Sequence, residues 1–150
     1  MERKNNIVII GGTACGPKAA ARARRCDPQA RLTIVEQGED LSTATCGLPY
    51  YVSGIIDSQS DLVVRGHDFF RDVMNMEVLT RTKALAINRK AREVEVLNLE
   101  TNRVSTLGYD KLVLAMGSIP VVPDLEGRDL GGIFTLTKIK DANAIRNLIS

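Results

Sequence analysis

The sequence predicts an α/β fold, with a parallel sheet built around a glycine turn and a small antiparallel β-meander behind it. Three observations predict it. A short strand-like stretch, Asn6 to Ile10, continuously apolar from Ile7, leads straight into Gly11-Gly12-Thr13-Ala14-Cys15-Gly16. An alanine- and arginine-rich stretch, Pro17 to Cys26, comes next and gives way to a second strand-like stretch, Arg31 to Glu36. Beyond Met76 the polarity alternates in short pieces separated by turn residues.

Each element rests on local chemistry. The run at 6–10 has no polar alternation, as expected for a strand covered on both faces. Residues 17–26 are good helix formers, and Asp27-Pro28 ends them because proline disfavours helical geometry in the residue before it. Strand, glycine turn, helix and strand make one βαβ unit, right-handed by the usual rule. Gln37 to Thr45 is polar and loop-like. A short helix is expected from Cys46 or Gly47 to about Val52, with Pro49 in its first turn. Residues 55–66 read as irregular, and 67–74 as a second short helix with Phe69, Phe70 and Val73 on its apolar side. Glu77–Thr80, Ala84–Asn88, Glu93–Leu97 and Val104–Leu107 read as the meander. Tyr109 to Ala115 returns to a buried parallel strand, broken by Gly117-Ser118-Ile119-Pro120. A loop to Gly132, a short strand at Ile133–Leu136 and a helix at 140–149 complete the chain.

Composition narrows the function. One hundred and fifty residues suit one domain of ordinary size. Twenty basic and eighteen acidic side chains leave a net charge of +2. That balance predicts neither a nucleic-acid surface nor an acidic tail. The apolar run near the start is too short for a secretory signal, and no stretch reaches membrane-spanning length, so no membrane partner and a cytoplasmic location are expected. The three cysteines, Cys15, Cys26 and Cys46, form no CxxC pair, and there is one histidine, His67. No metal site is expected, and any cysteine chemistry must use a lone thiol.

Two constellations carry chemistry. A dinucleotide turn needs glycine where the chain bends sharply and small residues where backbone meets pyrophosphate, followed by a helix N-terminus that favours an anion. Gly11, Gly12 and Gly16 fit this pattern, while Thr13 replaces the middle glycine of GxGxxG. Glu36 ends the second strand twenty residues beyond Gly16, where a carboxylate accepts both hydroxyls of an adenosine ribose. The second constellation is Ser42-Thr43-Ala44-Thr45-Cys46-Gly47-Leu48-Pro49-Tyr50-Tyr51. A cysteine at a helix start sits beside unpaired N–H groups that favour thiolate, the nucleophile of disulfide exchange. Gly47 would let a flat ring approach the backbone. Cys15 and Cys26 read as small buried hydrophobes.

Together these residues resemble the pyridine nucleotide–disulfide oxidoreductases. They are most similar to the single-cysteine branch of coenzyme A-disulfide reductases, NADH oxidases and persulfide reductases. That branch carries a serine four positions before one redox cysteine, followed by Gly-Leu-Pro-Tyr. Here position 41 is Leu and position 51 Tyr, so no partner thiol stands at the spacing used by the two-cysteine members. The resemblance implies a Rossmann-like FAD-binding portion over residues 1–117, with the meander at roughly 77–108. It implies that 118–150 form a connector and helix leading to an NAD(P)H domain outside these residues, a truncation at a domain junction. It assigns cofactor contacts to Gly11, Gly12, Thr13, Ala14, Gly16, Glu36, Gln37, Lys83, Ala84, Ala115, Met116 and Gly117, where Met116 stands for the family's usual threonine. It assigns Cys46 as the redox thiol, with Ser42 and Thr45 hydrogen-bonding substrate or leaving group. The branch's coenzyme A-disulfide reductases often have Phe and Asn where this chain has Thr43 and Thr45. Arg22 and Arg25, at i and i+3 on one helix face, read either as contacts for a coenzyme A phosphate or as a solvated basic face. The implied activity is NAD(P)H-driven, FAD-dependent reduction of a disulfide, persulfide or oxygen species. The implied partner is a small-molecule disulfide or thiol, coenzyme A-linked or not, and the implied full-length assembly is a homodimer. The alternative is a flavin reductase serving a protein or metal electron carrier, with Cys46 a bystander.

Overall fold

The computed structural model describes residues 4–149, which divide into two compact units. The first comprises residues 4–43 and 65–117, and the second 44–64 and 118–149. The first unit holds both sheets. Strands β1 (Asn6–Ile10), β2 (Arg31–Val35), β3 (Glu77–Leu79) and β7 (Lys111–Leu114) form a parallel sheet in the order β3-β2-β1-β7. Strands β4 (Thr82–Asn88), β5 (Glu93–Asn98) and β6 (Arg103–Gly108) form an antiparallel sheet in sequence order. Helix α1 (Cys15–Cys26) connects β1 to β2.

Strand alternation explains why β1 and β2 are mostly apolar on both faces. Ile7, Ile9, Leu32 and Ile34 point to one core with Ala20 of α1, Phe70 and Met76. Val8, Ile10 and Val35 point to another with Val94 and Val96 of the meander. Both faces of the parallel sheet are therefore covered, and neither tolerates polar alternation.

Several expectations change. The strand expected at 77–80 is not part of the meander, which spans 82–108 rather than 77–108. Its residues 77–79 pair parallel with β2 instead, Thr33 opposite Glu77. Arg81, at φ 47°, turns the chain between the two sheets, and the Arg81 and Thr82 N–H groups donate to the Gly38 and Glu36 carbonyls at 2.9 Å each. Three residues are too few for alternation to reveal which sheet they join. No strand forms at 133–136, which pairs with no strand among the described residues. The helix at 67–74 is widened into a π-type turn at Phe69–Val73, closed by Met74 N–H donating to the Phe69 carbonyl at 3.0 Å. That widening breaks the expected register: Phe70 is buried and Phe69 packs edge-on against it, but Val73 is 69% exposed.

α1 begins at Cys15, two residues before the expected start, which puts Pro17 in the first turn where its missing N–H costs nothing. Its buried face is Gly16, Pro17 and Ala20. Cys15 and Cys26 lie eleven residues apart, three turns on the same outward side, so both are exposed rather than buried. Arg24, on the same helix, is tied to the body of the unit. Its guanidinium donates to the carbonyls of Pro28, Ala30, Met74 and Asn75 at 2.6–3.0 Å and staples the end of α1 to the segment before β3.

The second unit is small. It contains a 3-10 turn at Thr45–Gly47, helix α2 (Leu48–Val52), a second 3-10 turn at Gln59–Leu62 and helix α3 (Ile139–Ile149). Its core is Leu48, Tyr51, Leu62 and Ala142, with Val52, Ile56, Leu136 and Ile139 packed around them.

Candidate functional site

The parallel order fixes where a ligand belongs. β1 is flanked by β2, reached through α1, and by β7, reached after the meander, so the chain direction of connections reverses beside β1. Ligands of open parallel sheets bind outside the carboxyl ends of the strands at such a switch point. Gly11, Glu36 and Ala115 stand at those ends of β1, β2 and β7.

The glycines are required by the fold itself. Gly11 has φ 109°, and a Cβ there would lie 2.1 Å from the Ala115 carbonyl oxygen. A Cβ on Gly16 would lie 1.8 Å from the Gly11 carbonyl oxygen, and one on Gly12 would lie 2.3 Å from Leu41. All three let the turn pack against the end of β7, the start of α1 and the side chains of Leu41 and Glu36. Thr13 has no positive φ and is half-buried, so the backbone does not demand glycine where the motif departs.

The chemistry of the donors fits an anionic nucleotide. α1 has twelve residues, no side-chain cap at Ala14 and no acidic residue in its first turn. Its first N–H groups and the positive end of its dipole therefore point out of the turn beside exposed Ala14 and Cys15. The Glu36 carboxyl is held in place by two backbone donors, Gly12 N–H at 2.5 Å and Gly38 N–H at 2.6 Å. Gln37 is exposed next to it. The Glu36 backbone in turn links β3 and β4, accepting from Thr82 N–H and donating to the Leu79 carbonyl at 2.9 Å each. Lys83 and Ala84 come after Thr82 on β4, paired with Leu97 and Val96 just before a bulge. On the other side of β1, Ala115 N–H donates to the Ile10 carbonyl at 2.8 Å, Met116 is 65% exposed and Gly117 has φ 71°.

Ser42 belongs to the same cluster. Its N–H donates to the Gly12 carbonyl at 2.7 Å, and its φ of 55° is a left-handed conformation uncommon for a serine. The first unit thus gathers Gly11, Gly12, Thr13, Ala14, Gly16, Glu36, Gln37, Ser42 and Ala115 around one end of the sheet. Arg22 and Arg25 are both exposed on α1.

Thr45 and Cys46 lie in the second unit, both exposed on the 3-10 turn. The local donors differ from the expectation. Gly47 N–H donates to the Ala44 carbonyl at 2.9 Å, Leu48 N–H donates to Thr45, and Pro49 has no N–H. The N–H groups after Cys46 are spent within the turn, and α2 is too short to contribute a substantial dipole. Gly47 also has a packing reason: a Cβ there would lie 2.8 Å from Leu62 and 3.3 Å from Ile56. Tyr51 is buried with its hydroxyl on Asn143, while Tyr50 is 56% exposed.

Two devices escape a sequence reading. Arg24 looks like any surface arginine, and its four acceptors come from separate stretches. At the start of α3, Asp141 accepts from Thr137 N–H, the Thr137 hydroxyl and Lys138 N–H at 2.9–3.0 Å. The spacing Thr-x-x-x-Asp before an apolar-periodic stretch is the available signal for that cap. Burial works to raise the Asp141 carboxyl, and the bonds from Thr137 and Lys138 outweigh it, holding it below the ordinary carboxylate value.

A cavity at the opposite, amino-terminal edge of the strands is lined by Arg24, Arg31, Thr33 and Glu77 among others. Within it Thr33 donates to Glu77 at 2.9 Å, and Arg24 is engaged by backbone carbonyls. No helix among the described residues is long and apolar enough to cross a membrane.

Comparison with known proteins agrees with this geometry. A coenzyme A disulfide reductase of Staphylococcus haemolyticus is 35% identical over 143 residues, which cover 95% of this chain and 32% of that protein. The structure of reduced Bacillus anthracis CoADR-RHD superposes with a TM-score of 0.92 at 32% identity, over 99% of this chain and 27% of that one. An NAD-dependent persulfide reductase from A. fulgidus gives 0.90 at 39% identity, over 96% of this chain and 27% of that one. The chain thus spans about a third of the length of the curated relative. With residues 5–149 matching its defining pattern, the chain belongs to the pyridine nucleotide-disulphide oxidoreductase family.

Proposed function

We propose that this chain is the FAD-binding front of an NAD(P)H-dependent reductase of small-molecule disulfides or persulfides, working through Cys46. The observation that carries the proposal is the uncapped start of α1 at the switch point, combined with a Glu36 carboxyl fixed by Gly12 and Gly38. The names of the relatives support the same chemistry.

The residues divide the work. The N–H groups of Thr13 and Ala14 and the start of α1 receive the pyrophosphate, while the missing side chain of Gly12 lets the turn close on Glu36. Glu36 accepts the ribose hydroxyls, Gln37, Lys83 and Ala84 border the adenine, and Ala115, Met116 and Gly117 border the isoalloxazine. When bound, FAD supplies two-electron chemistry, taking hydride equivalents from NAD(P)H. Cys46 supplies the nucleophile. Its thiolate attacks a disulfide RS–SR, forms Cys46–S–SR and releases RS⁻, to which Thr45 or Ser42 donates a hydrogen bond. Two electrons originating from NAD(P)H, with one proton, then cleave that mixed disulfide to the Cys46 thiolate and RSH. The sum is RSSR, NAD(P)H and H⁺ giving two RSH and NAD(P)⁺. A coenzyme A-linked substrate would present phosphates suited to Arg22 and Arg25.

Replacing Cys46 by serine in the full-length protein tests this directly. Disulfide turnover should fall at least about a thousandfold, because serine cannot form the mixed disulfide, while flavin content is retained. Undiminished disulfide turnover in that variant sinks the proposal and favours a flavin reductase serving an electron carrier, with the thiol a bystander.

A further inference from the structure

Cys46 sits on a scaffold that cannot hold itself. α2 has five residues, far below the length at which a helix is stable alone in water. The side chains of Cys46 and Thr45 are exposed. The position of their turn is set by the residues just beyond it: Gly47 pressed on Leu62 and Ile56, and Leu48 and Tyr51 buried.

Tyr51 is where α3 grips this segment. Its hydroxyl donates to Asn143 Oδ1 at 2.9 Å, and Asn143 Nδ2 donates to Gln59 Oε1 at 2.9 Å. The Arg146 guanidinium lies 4.3 Å from the centre of the Tyr51 ring and donates to the Asp57 carbonyl at 3.1 Å. Asn143 and Arg146 stand at i and i+3 of α3, so one face of that helix presents both. Ala142, fully buried, packs in the same cluster as Leu48 and Tyr51. The grip joins residues about ninety positions apart and reaches both sides of α2, the helix at Tyr51 and the returning chain at 57–59.

We propose that Tyr51, Asn143 and Arg146 are positioning residues for the Cys46 thiol, and that α3 is part of the redox apparatus rather than a passive connector. This rests on the reading of Cys46 as the reactive sulfur and deepens it. Small displacements of a reacting group are costly to rate while leaving other steps intact. The grip should therefore affect the thiol step selectively.

The test uses the full-length protein, with NAD(P)H as donor, coenzyme A disulfide as thiol-level acceptor and ferricyanide as flavin-level acceptor. Arg146→Ala and Tyr51→Phe should lower kcat for the disulfide about tenfold, with ferricyanide reduction retained. Arg146→Lys, which keeps the cation over the ring and a donor for Asp57, should restore most of the loss. Amide hydrogen exchange at 47–52 should quicken in Arg146→Ala while that of β1 and β2 stays unchanged. An unchanged ratio of disulfide to ferricyanide turnover overturns the proposal. So does a parallel loss of both with falling Tm, which marks a purely structural role. If Arg146→Ala does not fold, Tyr51→Phe decides, because it removes only a hydroxyl. Cys46→Ser separates the two levels: disulfide turnover surviving there defeats the underlying reading, whereas its loss there with an intact ratio in the other variants defeats the positioning role alone.

Discussion

Gly11 and Arg24 show what a single residue reveals in sequence. Gly11 needs both a positive φ and a missing Cβ, because the Ala115 carbonyl occupies the space. Only glycine meets both demands, so the requirement is written in composition. Arg24 meets its demand with an ordinary surface residue, and its four carbonyl acceptors are brought together only by folding. Glu36 lies between these cases. Its place at the end of β2 is legible, but its service to the protein is not: it satisfies Gly12 and Gly38 before any ligand arrives. Glu36→Ala should consequently act twice. In the full-length protein FAD affinity should drop by about tenfold to a hundredfold, the worth of one or two hydrogen bonds to a charged acceptor. The flavin-free protein should also lose about 1–3 kcal/mol for the buried Gly12 N–H left without a partner. Equilibrium flavin titration and thermal unfolding measure the two effects, and an affinity within twofold of the parent would refute the ribose role.

At the scale of the element, length decides legibility. β1, β2 and α1 are long enough for periodicity and turn chemistry to agree, and they are found within two residues of expectation. β3 has three residues, and its partner is chosen by backbone bonds from Glu36 and Thr82 rather than by its own pattern. The segment at 133–136 has strand-like composition but pairs with no strand among the described residues, so composition alone misleads. α3 is found by its apolar spacing, yet its start is set by Asp141, whose carboxyl ties down Thr137 and Lys138. That carboxyl is held below its ordinary value, so the folded state binds its proton less readily than the unfolded chain does. The cap is at full strength above the unfolded carboxylate value of about 4 and is lost as pH falls through the lower folded value. Asp141→Ala should cost about 1 kcal/mol near neutrality, as for removal of a capping side chain, discounted for partial exposure. The difference between parent and variant should shrink as pH falls through that lowered folded value. Thermal melts of both proteins across that range check the sign, and a gap that widens on acidification would contradict it.

The whole molecule departs most from a linear reading. The expected division falls once, between 117 and 118, because Gly117-Ser118-Ile119-Pro120 is a plain break. In the structure the chain changes unit three times, since 44–64 leaves the first unit to join 118–149. Nothing in the composition of 44–64 announces this, as its decisive contacts are with residues about ninety positions later. The two units also differ in substance. The first has a sheet covered on both faces by two apolar clusters, and the second has four buried side chains around two short helices. Local opening free energy tracks buried apolar contacts, so the thiol-bearing unit should open more readily than the nucleotide-binding one. Native-state hydrogen exchange should show amides of 48–52 and 140–148 exchanging at least about a hundredfold faster than those of β1 and β2, equivalent to a gap of roughly 3 kcal/mol in opening free energy. Equal protection in the two sets would mean that the small unit draws its stability from outside its own core. On the proposed reading of Cys46 the expected inequality has a chemical use, because a thiol that attacks a substrate, holds it as a mixed disulfide and releases it gains from a carrier whose opening is cheap, while a nucleotide cradle gains from one whose opening is not.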